Sequence, residues 1–186
     1  MTQSKNNKVK KLGSDDLSKL YKIFLKNSFN ELMEFINEYG LDAVDENRNN
    51  ILLHCVSDKS FIMLVNKMMD HLEEININFQ NKFGISALHV AVRYKNKQLL
   101  DLLLKNKNIN VNIYDNNGNT PLSIALMDVN FDEDIIIKLL ESGADVNQSD
   151  KYGYRLYDFV NESMGKVGRY LSEHNNTSSV VYPCFK

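Results

Sequence analysis

The chain has 186 residues, and its 22 Lys and Arg against 24 Asp and Glu give a formal net charge of −2. This length fits one domain or one elongated stack, and so small a charge excludes a molecule drawn as a whole to nucleic acid or to an anionic membrane. Hydrophobic residues make up 43% of the sequence, which excludes global disorder.

Residues 1–13 are predicted to be a polar tail, because they are rich in Lys and Asn and contain no apolar stretch typical of a secretory signal. The lysines of this tail lack the interleaved aromatic residues of a single-strand binder, so we expect no nucleic-acid partner. No apolar run of about 18 residues occurs, and no membrane-spanning helix is predicted. These features predict a cytoplasmic protein.

Residues 14–44 are predicted to form a pair of helices. Ser14 followed by Asp15 and Asp16 is typical of a helix N-cap with an acidic first turn. Apolar residues then recur at helical spacing as far as Phe24, and again from Phe29 onward. This pair lacks the opening motif that recurs downstream, so we expect it to be an N-terminal cap.

Two short patterns recur through the rest of the chain with a period of 34 or 35 residues. The first occurs at residues 46–56, 81–91, 115–125 and, in degenerate form, 150–160. The second occurs at residues 74–78, 108–112 and 143–147. Two independent markers with one period predict stacked repeats, because a unit of this size cannot bury its apolar face alone.

The residues of each unit fit a turn followed by a short helix. Gly84 and Gly118 stand where a tight turn needs a positive φ. Thr120 and Pro121 combine an N-cap residue with proline at the first helical position, where its missing N–H costs nothing. A tight turn that leads directly into a short helix is therefore predicted in each unit.

The closest copy combines residues 115–125 with residues 143–147, and it resembles the ankyrin repeat with its D-x-x-G-x-T-P-L-H-x-A opening and G-A-D-V-N close. The copy at 46–56 lacks the glycine, and the copy at 150–160 has lost the T-P-L-H run. The resemblance implies an all-α ankyrin-repeat solenoid of stacked helix-turn-helix units with short β-turn fingers. We expect a folded region at 14–174 between polar tails, divided as 14–44 (N-terminal cap), 45–79, 80–113, 114–148 and 149–174 (C-terminal cap), with a second tail at 175–186.

No pattern of residues predicts catalysis, a metal site or a cofactor. The resemblance places His54 and His89 at the histidine of the T-P-L-H motif, where the imidazole is expected to make structural hydrogen bonds. Cys55 and Cys184 do not form a disulfide framework, and Cys55 is expected to be a small buried hydrophobe. The acidic run at residues 132–134 is typical of a helix N-terminus.

Three asparagines close the second pattern, at Asn78, Asn112 and Asn147. The resemblance implies that their side chains brace the hairpin between repeats. It also implies that such asparagines can be hydroxylated by asparaginyl hydroxylases, and the sequence leaves open whether any of the three is modified.

The resemblance further implies a concave binding surface made by the finger turns and the exposed side of each first helix. These positions hold arginine and aromatic residues, which concentrate binding energy at protein interfaces, together with residues beside them. The predicted partner-binding residues are Arg48, Lys59, Lys82, Phe83, Arg93, Tyr94, Asn117, Met127, Asp128, Tyr152 and Tyr154. For Phe83 and Tyr152, packing against adjacent fingers is an equal alternative.

These features favour a non-enzymatic module that binds, and inhibits or sequesters, one partner protein, and that is a monomer when free. The Asn, Lys and Ile bias of an AT-rich genome suggests two settings: an immunity protein against a cognate toxin, or an effector that an intracellular bacterium delivers into the host cytoplasm. A regulatory inhibitor and a scaffold or assembly subunit are further alternatives. The identity of the partner is not encoded in any motif.

Overall fold

The computed structural model describes residues 9–72, 75–149, 153 and 165–174. Over these ranges the chain forms helices α1 (Ser14–Lys26), α2 (Phe29–Tyr39), α3 (Ile51–Val56), α4 (Ile62–His71), α5 (Ala87–Arg93), α6 (Lys97–Leu104), α7 (Pro121–Met127), α8 (Glu133–Glu141) and α9 (Gly165–His174), with a 3-10 turn (Lys59–Phe61) before α4. The extended pairing described there is limited to isolated bridges from Val44 to Lys11 and to Asn50. The predicted all-α solenoid is confirmed.

Helices α3 and α7, the first helices of two repeats, are short and begin at a side-chain cap. Asn50 Oδ1 accepts the Leu53 N–H at 3.0 Å at the start of α3, and Thr120 Oγ1 accepts the Ser123 N–H at 3.1 Å at the start of α7. Helices of six or seven residues are unstable in isolation, because nucleation costs more than so few hydrogen bonds return. Packing must therefore stabilise them.

That packing comes from neighbouring repeats. Helix α5 lies against α3 and α7 in the row of first helices, α4 lies against α6 in the second row, and α9 closes the stack against α8. One apolar cluster runs without a break from Leu12 to Leu171. No described helix is both long enough and apolar enough to cross a membrane.

The finger turns before α3, α5 and α7 are each built around one side-chain acceptor. Asp115 Oδ1 accepts the N–H groups of Asn117 and Asn119 at 2.8 and 2.9 Å, and Asp45 Oδ1 accepts those of the second and fourth residues after it at 2.8 Å each. Asn81 makes the same two bonds. Asp45 and Asn81 are 36 residues apart, and Asn81 and Asp115 are 34 residues apart. The sequence pattern predicts 35 residues for the first of these intervals, which is one too few.

The one-residue difference changes which side chains are equivalent in the first full repeat. Arg48, with φ 59°, takes the place of Gly84 and Gly118, which both have φ 75°. Leu53, not His54, is equivalent to His89. The sequence pattern predicts an offset of 35 residues because the glycine that marks the turn is an arginine here, and the shared Leu-His pair then aligns His54 with His89.

Adjacent fingers are joined by backbone hydrogen bonds. The Lys82 N–H donates to the Asn47 carbonyl at 2.9 Å, and the Asn116 N–H donates to the Phe83 carbonyl at 3.0 Å. The base of each hairpin is joined in a similar way: Asn78 Nδ2 donates to a carbonyl of the next hairpin at 2.7 Å, and its Oδ1 accepts an N–H there at 2.8 Å. Asn112 makes the equivalent pair of bonds, so the predicted bracing is confirmed for these two asparagines.

Part of the predicted N-terminal tail at 1–13 is packed on the stack. Leu12 is buried, its N–H donates to the Val44 carbonyl at 2.8 Å, and the Val44 N–H donates to the Lys10 carbonyl at 3.0 Å. The Lys10 ammonium lies 4.1 Å from the centre of the Tyr39 ring. The rest of the predicted tails, residues 1–8 and 175–186, and most of the predicted terminal repeat at 149–174 lie outside the described residues.

Gly84→Ala tests the close approach of two fingers. A Cβ at residue 84 would lie 2.6 Å from the backbone nitrogen of Asn116, whereas a Cβ at Gly143 would have no atom within 4 Å. Both glycines have positive φ, so Gly143→Ala isolates the strain without the clash. In urea unfolding we expect a loss of about 1 kcal/mol for Gly143→Ala and about 3 kcal/mol for Gly84→Ala. Equal losses would contradict the finger contact.

Arg48→Gly tests the corrected register. A non-glycine residue at φ 59° is strained, and glycine removes that strain while gaining some freedom in the unfolded chain. We expect the free energy of unfolding to rise by about 0.5–1 kcal/mol relative to Arg48→Ala, which removes the same side chain but keeps the Cβ. A variant no more stable than Arg48→Ala would show that residue 48 does not take the glycine position.

Candidate functional site

The exposed sides of α1, α3, α5 and α7, together with the finger turns, form what we call the inner face; the second helices form the outer face. With offsets of 36 and 34 residues, equivalent positions of the first helices line up in columns across this face. One column contains His54, Val90 and Ile124. The second column contains Ser57, Arg93 and Met127. The third contains Asp58, Tyr94 and Asp128.

The first groove of the inner face has a volume of about 460 Å³ and lies between α1, the first finger and α5. Aliphatic side chains form much of its lining, and two tyrosines stand beside them: Tyr21 is 40% exposed and Tyr94 is 59% exposed. Arg93 completes the lining next to Tyr94. The aliphatic members are Leu17, Leu53, Ile85 and Val90.

The second groove has a volume of about 300 Å³ and lies between α5, α7 and the start of α8. Arg93 lines it as well, so this side chain stands at the junction of the two grooves. On the other side of the junction the groove is lined by Met127, Asp128 and Ile124. Volumes of this size accommodate side chains of a bound segment rather than a whole macromolecule.

The structure brings four of the predicted site residues together, namely Arg93, Tyr94, Met127 and Asp128. The other predicted residues of the described ranges lie outside both groove linings: Lys59 in the 3-10 turn, and Arg48, Lys82, Phe83 and Asn117 on the fingers. Phe83 is 51% exposed, with the Lys82 ammonium 5.1 Å from its ring centre. Tyr152 and Tyr154 lie outside the described residues.

Several lining residues were not predicted. Leu17 and Tyr21 come from the cap helix α1, which contains no repeat motif to align, so no equivalent position could indicate them. His54 was not predicted as a lining residue because the sequence pattern predicts an offset of 35 residues; an offset of 36 residues aligns it with Val90 and Ile124. The acceptor residues of the finger turns are the signal that gives this offset.

The carboxylates that line the grooves are already engaged. Asp128 Oδ2 lies 3.0 Å from the Lys95 ammonium, and Asp132 Oδ2 lies 2.9 Å from the Lys97 ammonium. The hydrogen bond from Lys95 holds the pKa of Asp128 below its usual range, with a smaller contribution from a backbone N–H. Within the described ranges, no carboxylate lies within ion-pair distance of Arg93. Arg93 is therefore an exposed cation without a described anionic partner.

His54 links the cap to the first finger. Its Nδ1 lies 3.3 Å from the Tyr21 hydroxyl, the two rings are perpendicular with centres 5.8 Å apart, and Nε2 lies 3.3 Å from Asp45 Oδ2. The Nε2 contact is too poorly aligned to count as a hydrogen bond. Burial lowers the pKa of His54, and the charge of Asp45 opposes that shift. The predicted T-P-L-H placement of His54 is wrong, because Leu53 has that position.

His89 is confirmed as a structural histidine. Its Nδ1 accepts the Ser86 N–H at 3.2 Å and lies 2.8 Å from the Ser86 hydroxyl, while Nε2 lies 3.2 Å from the Asn119 carbonyl and can only donate to it. These bonds require the neutral ring with its proton on Nε2. Burial is the main cause that lowers the pKa of His89. The side chain thus joins α5 to the next finger.

The remaining polar candidates have structural roles. Cys55 is fully buried at the position equivalent to Ala91, and burial raises the pKa of its thiol to about 12. Asp132 caps α8, and Glu133 Oε2 accepts the Lys166 N–H at 2.7 Å at the start of α9. The described ranges contain no group of three His, Cys, Asp or Glu side chains that could hold a metal ion.

A family profile described as "Ankyrin repeats (3 copies)" matches residues 52–150, more than half of the chain. The chain belongs to the ankyrin-repeat family. The resemblance to the ankyrin repeat that the sequence motifs indicate is therefore confirmed. Ankyrin repeats generally mediate protein–protein interaction, and the repeats are not themselves catalytic.

Individual relatives share the repeats over only part of their length. The ankyrin-repeat chain is 32% identical over 126 residues to the human transient receptor potential cation channel subfamily A member 1, which covers 66% of this chain and 11% of the channel. Two fowlpox virus ankyrin repeat proteins are 38% and 46% identical over 58 and 67 residues, which cover 31% and 36% of this chain and 30% and 19% of the viral proteins. The chain spans less than a third of the length of each of these relatives.

His89→Ser tests the histidine link through its pH dependence. Serine occupies the equivalent position in α7, where the Ser123 hydroxyl accepts the Thr120 N–H at 2.9 Å, so the variant keeps a cap and loses the titrating ring. Because the folded-state pKa of His89 is lowered, the unfolded chain binds more protons below about pH 6.5, and stability falls as the pH falls.

The measurement is urea unfolding between about pH 7.5 and 5.5, above the range in which carboxylates titrate. The parent protein should lose stability more steeply than His89→Ser, by at most about 1.4 kcal/mol per pH unit for this one ring. His54 is present in both proteins and cancels. Identical slopes would contradict a neutral His89 in the folded state.

Proposed function

We propose that this protein binds one partner protein through its inner face and inhibits or sequesters it, as an immunity protein does with a cognate toxin or as a regulatory inhibitor does. The observation that carries the proposal is the junction at Arg93, where two grooves meet beside the exposed ring of Tyr94. Arginine and tyrosine are among the residues that most often dominate binding energy at protein interfaces.

The rigidity of the surface also supports the proposal. The fingers are held to one another by the bonds from Lys82 and Asn116, and the Lys95–Asp128 ion pair connects α5 to α7 within the second groove. A surface fixed before binding loses little conformational entropy when a partner arrives, so more of the contact energy contributes to affinity.

Inhibition follows from steric exclusion. A rigid face that covers part of a partner's surface prevents substrates or other proteins from reaching that surface. In this proposal the protein works by occupying a site, and binding and inhibition share one stoichiometry. The cytoplasm, either of the source cell or of a host, is the proposed place of action.

Phe83→Ala combined with Tyr94→Ala tests the proposed face. The parent protein is used to purify its partner from the source cells, the partner is identified by mass spectrometry, and its dissociation constant is measured by calorimetry. We expect the double variant to weaken binding by about 2–4 kcal/mol, and to leave helical circular dichroism unchanged because both rings are exposed.

Met63→Ala is the matched control, because Met63 is 59% exposed, as Tyr94 is, but lies on the outer face in α4. Met63→Ala should bind the partner as the parent protein does. With either protein, the activity of the partner should fall in proportion to the fraction of partner that is bound. Undiminished binding by the double variant would show that the face is wrong. Loss of function on deleting residues 1–8 and 175–186, with binding intact, would favour a scaffold role instead.

A further inference from the structure

We infer that the segment of the partner that docks on the inner face is acidic, with an apolar side chain in the first groove and an adjacent Asp or Glu on Arg93. This inference rests on the proposed function and adds the chemistry of the partner to it. Three properties of the junction lead to it: the charge of Arg93, the occupied state of the nearby carboxylates, and the apolar lining of the first groove.

The charge argument begins with the carboxylates around the grooves. Asp128 and Asp132 are paired with Lys95 and Lys97, so neither is available to a ligand cation without breaking an existing ion pair. Asp45 is buried, and both of its oxygens accept hydrogen bonds of the finger turn. A basic ligand would therefore find no free anion in either groove lining.

Arg93 is in the opposite condition. Its side chain is exposed, it lines both grooves, and no carboxylate of the described ranges is paired with it. A guanidinium presents a planar fork of donors that matches the two oxygens of a carboxylate. Partial enclosure by the groove walls strengthens such a bidentate pair relative to one on an open surface. The complementary ligand group is a carboxylate.

The first groove determines what lies next to that carboxylate. Leu17, Leu53 and Val90 give it an aliphatic lining, and the rings of Tyr21 and Tyr94 border it. Its volume of about 460 Å³ exceeds that of one large side chain, so one or two apolar side chains of an extended segment fill it. Since Arg93 lines the same groove, the acidic residue must be near these apolar residues in the partner's chain.

The finger tips add cations on the same face. Arg48 and Lys82 are both exposed, and neither is ion-paired with a carboxylate of the described ranges. Lys82 instead lies near the ring of Phe83. These charges favour a partner whose acidic character continues beyond the groove toward the fingers, and they would raise its association rate at low salt.

The test uses a display library of random 12-residue peptides, selected against the full-length protein. We expect the selected peptides to be enriched in Asp or Glu beside Leu, Phe or Tyr. Synthetic peptides from the selection, and their Asp→Asn or Glu→Gln analogues, are then titrated by fluorescence anisotropy. Arg93→Gln should weaken the acidic peptides by about tenfold or more, and should weaken the amide analogues far less.

Lys105→Gln is the matched control for net charge, since Lys105 is an exposed cation at the end of α6 and lines a shallow groove between α4 and α6 on the outer face. It should change the affinity of the acidic peptides by less than about twofold at physiological salt. Arg93→Glu should reverse the preference and bind peptides that carry Lys or Arg at the acidic position.

Two results would overturn the inference in distinguishable ways. In the first, the peptides require Tyr94 but show no preference for acidic residues, or Arg93→Gln weakens the acidic peptides and their amide analogues equally. The inner face would then remain the binding surface, but the inference of an acidic partner would be wrong. Peptides that are indifferent to both Tyr94→Ala and Arg93→Gln would contradict the proposed face and the acidic partner together.

Discussion

The finger turn, in which one side-chain oxygen accepts two backbone N–H groups, is the interaction on which the rest of the structure depends. Asp45, Asn81 and Asp115 repeat it at offsets of 36 and 34 residues. The turns at Asp45 and Asn81 expose backbone carbonyls that accept a hydrogen bond from the next finger, and all three turns precede the start of a first helix. Because the helices are too short to form alone, their alignment follows from these turns and from the core beneath them. The columns of the inner face are a consequence of that alignment.

The grooves of the inner face are unequal in their electrostatics, because their carboxylates are engaged within the protein and Arg93 is not. Lys95 with Asp128 and Lys97 with Asp132 connect neighbouring repeats, and His89 connects two repeats as a neutral ring. Such exposed or half-exposed pairs contribute little to stability individually. Their functional consequence is larger, since they leave Arg93 as the cation of the groove linings that a partner can use. Because the carboxylates of both groove linings are already engaged, Arg93 gives the grooves a preference for an anionic partner group.

The sequence predicted the repeats, their helices and the caps of the best copies, because these depend on local residue types: an N-cap, a proline at the first helical position, and glycine at a positive φ. The offset of the first full repeat was predicted one residue short, because Arg48 carries a conformation that normally indicates glycine. Arg93 and Tyr94 were predicted from their positions in a well-matched repeat. Tyr21 was not, because its place in the groove depends on how the cap helix packs against α3, and no local pattern encodes that contact. The pairing of Lys95 with Asp128 likewise depends on side chains from two repeats.

Hydrogen–deuterium exchange of the free and partner-bound protein tests the central claim most directly, which is that the columns set by the finger turns are the surface the partner contacts. We expect slower exchange in the complex for peptides that cover residues 45–57, 81–95 and 115–128, and unchanged exchange for residues 62–71, 97–104 and 133–141 of the outer face. Protection confined to the outer helices would contradict the claim.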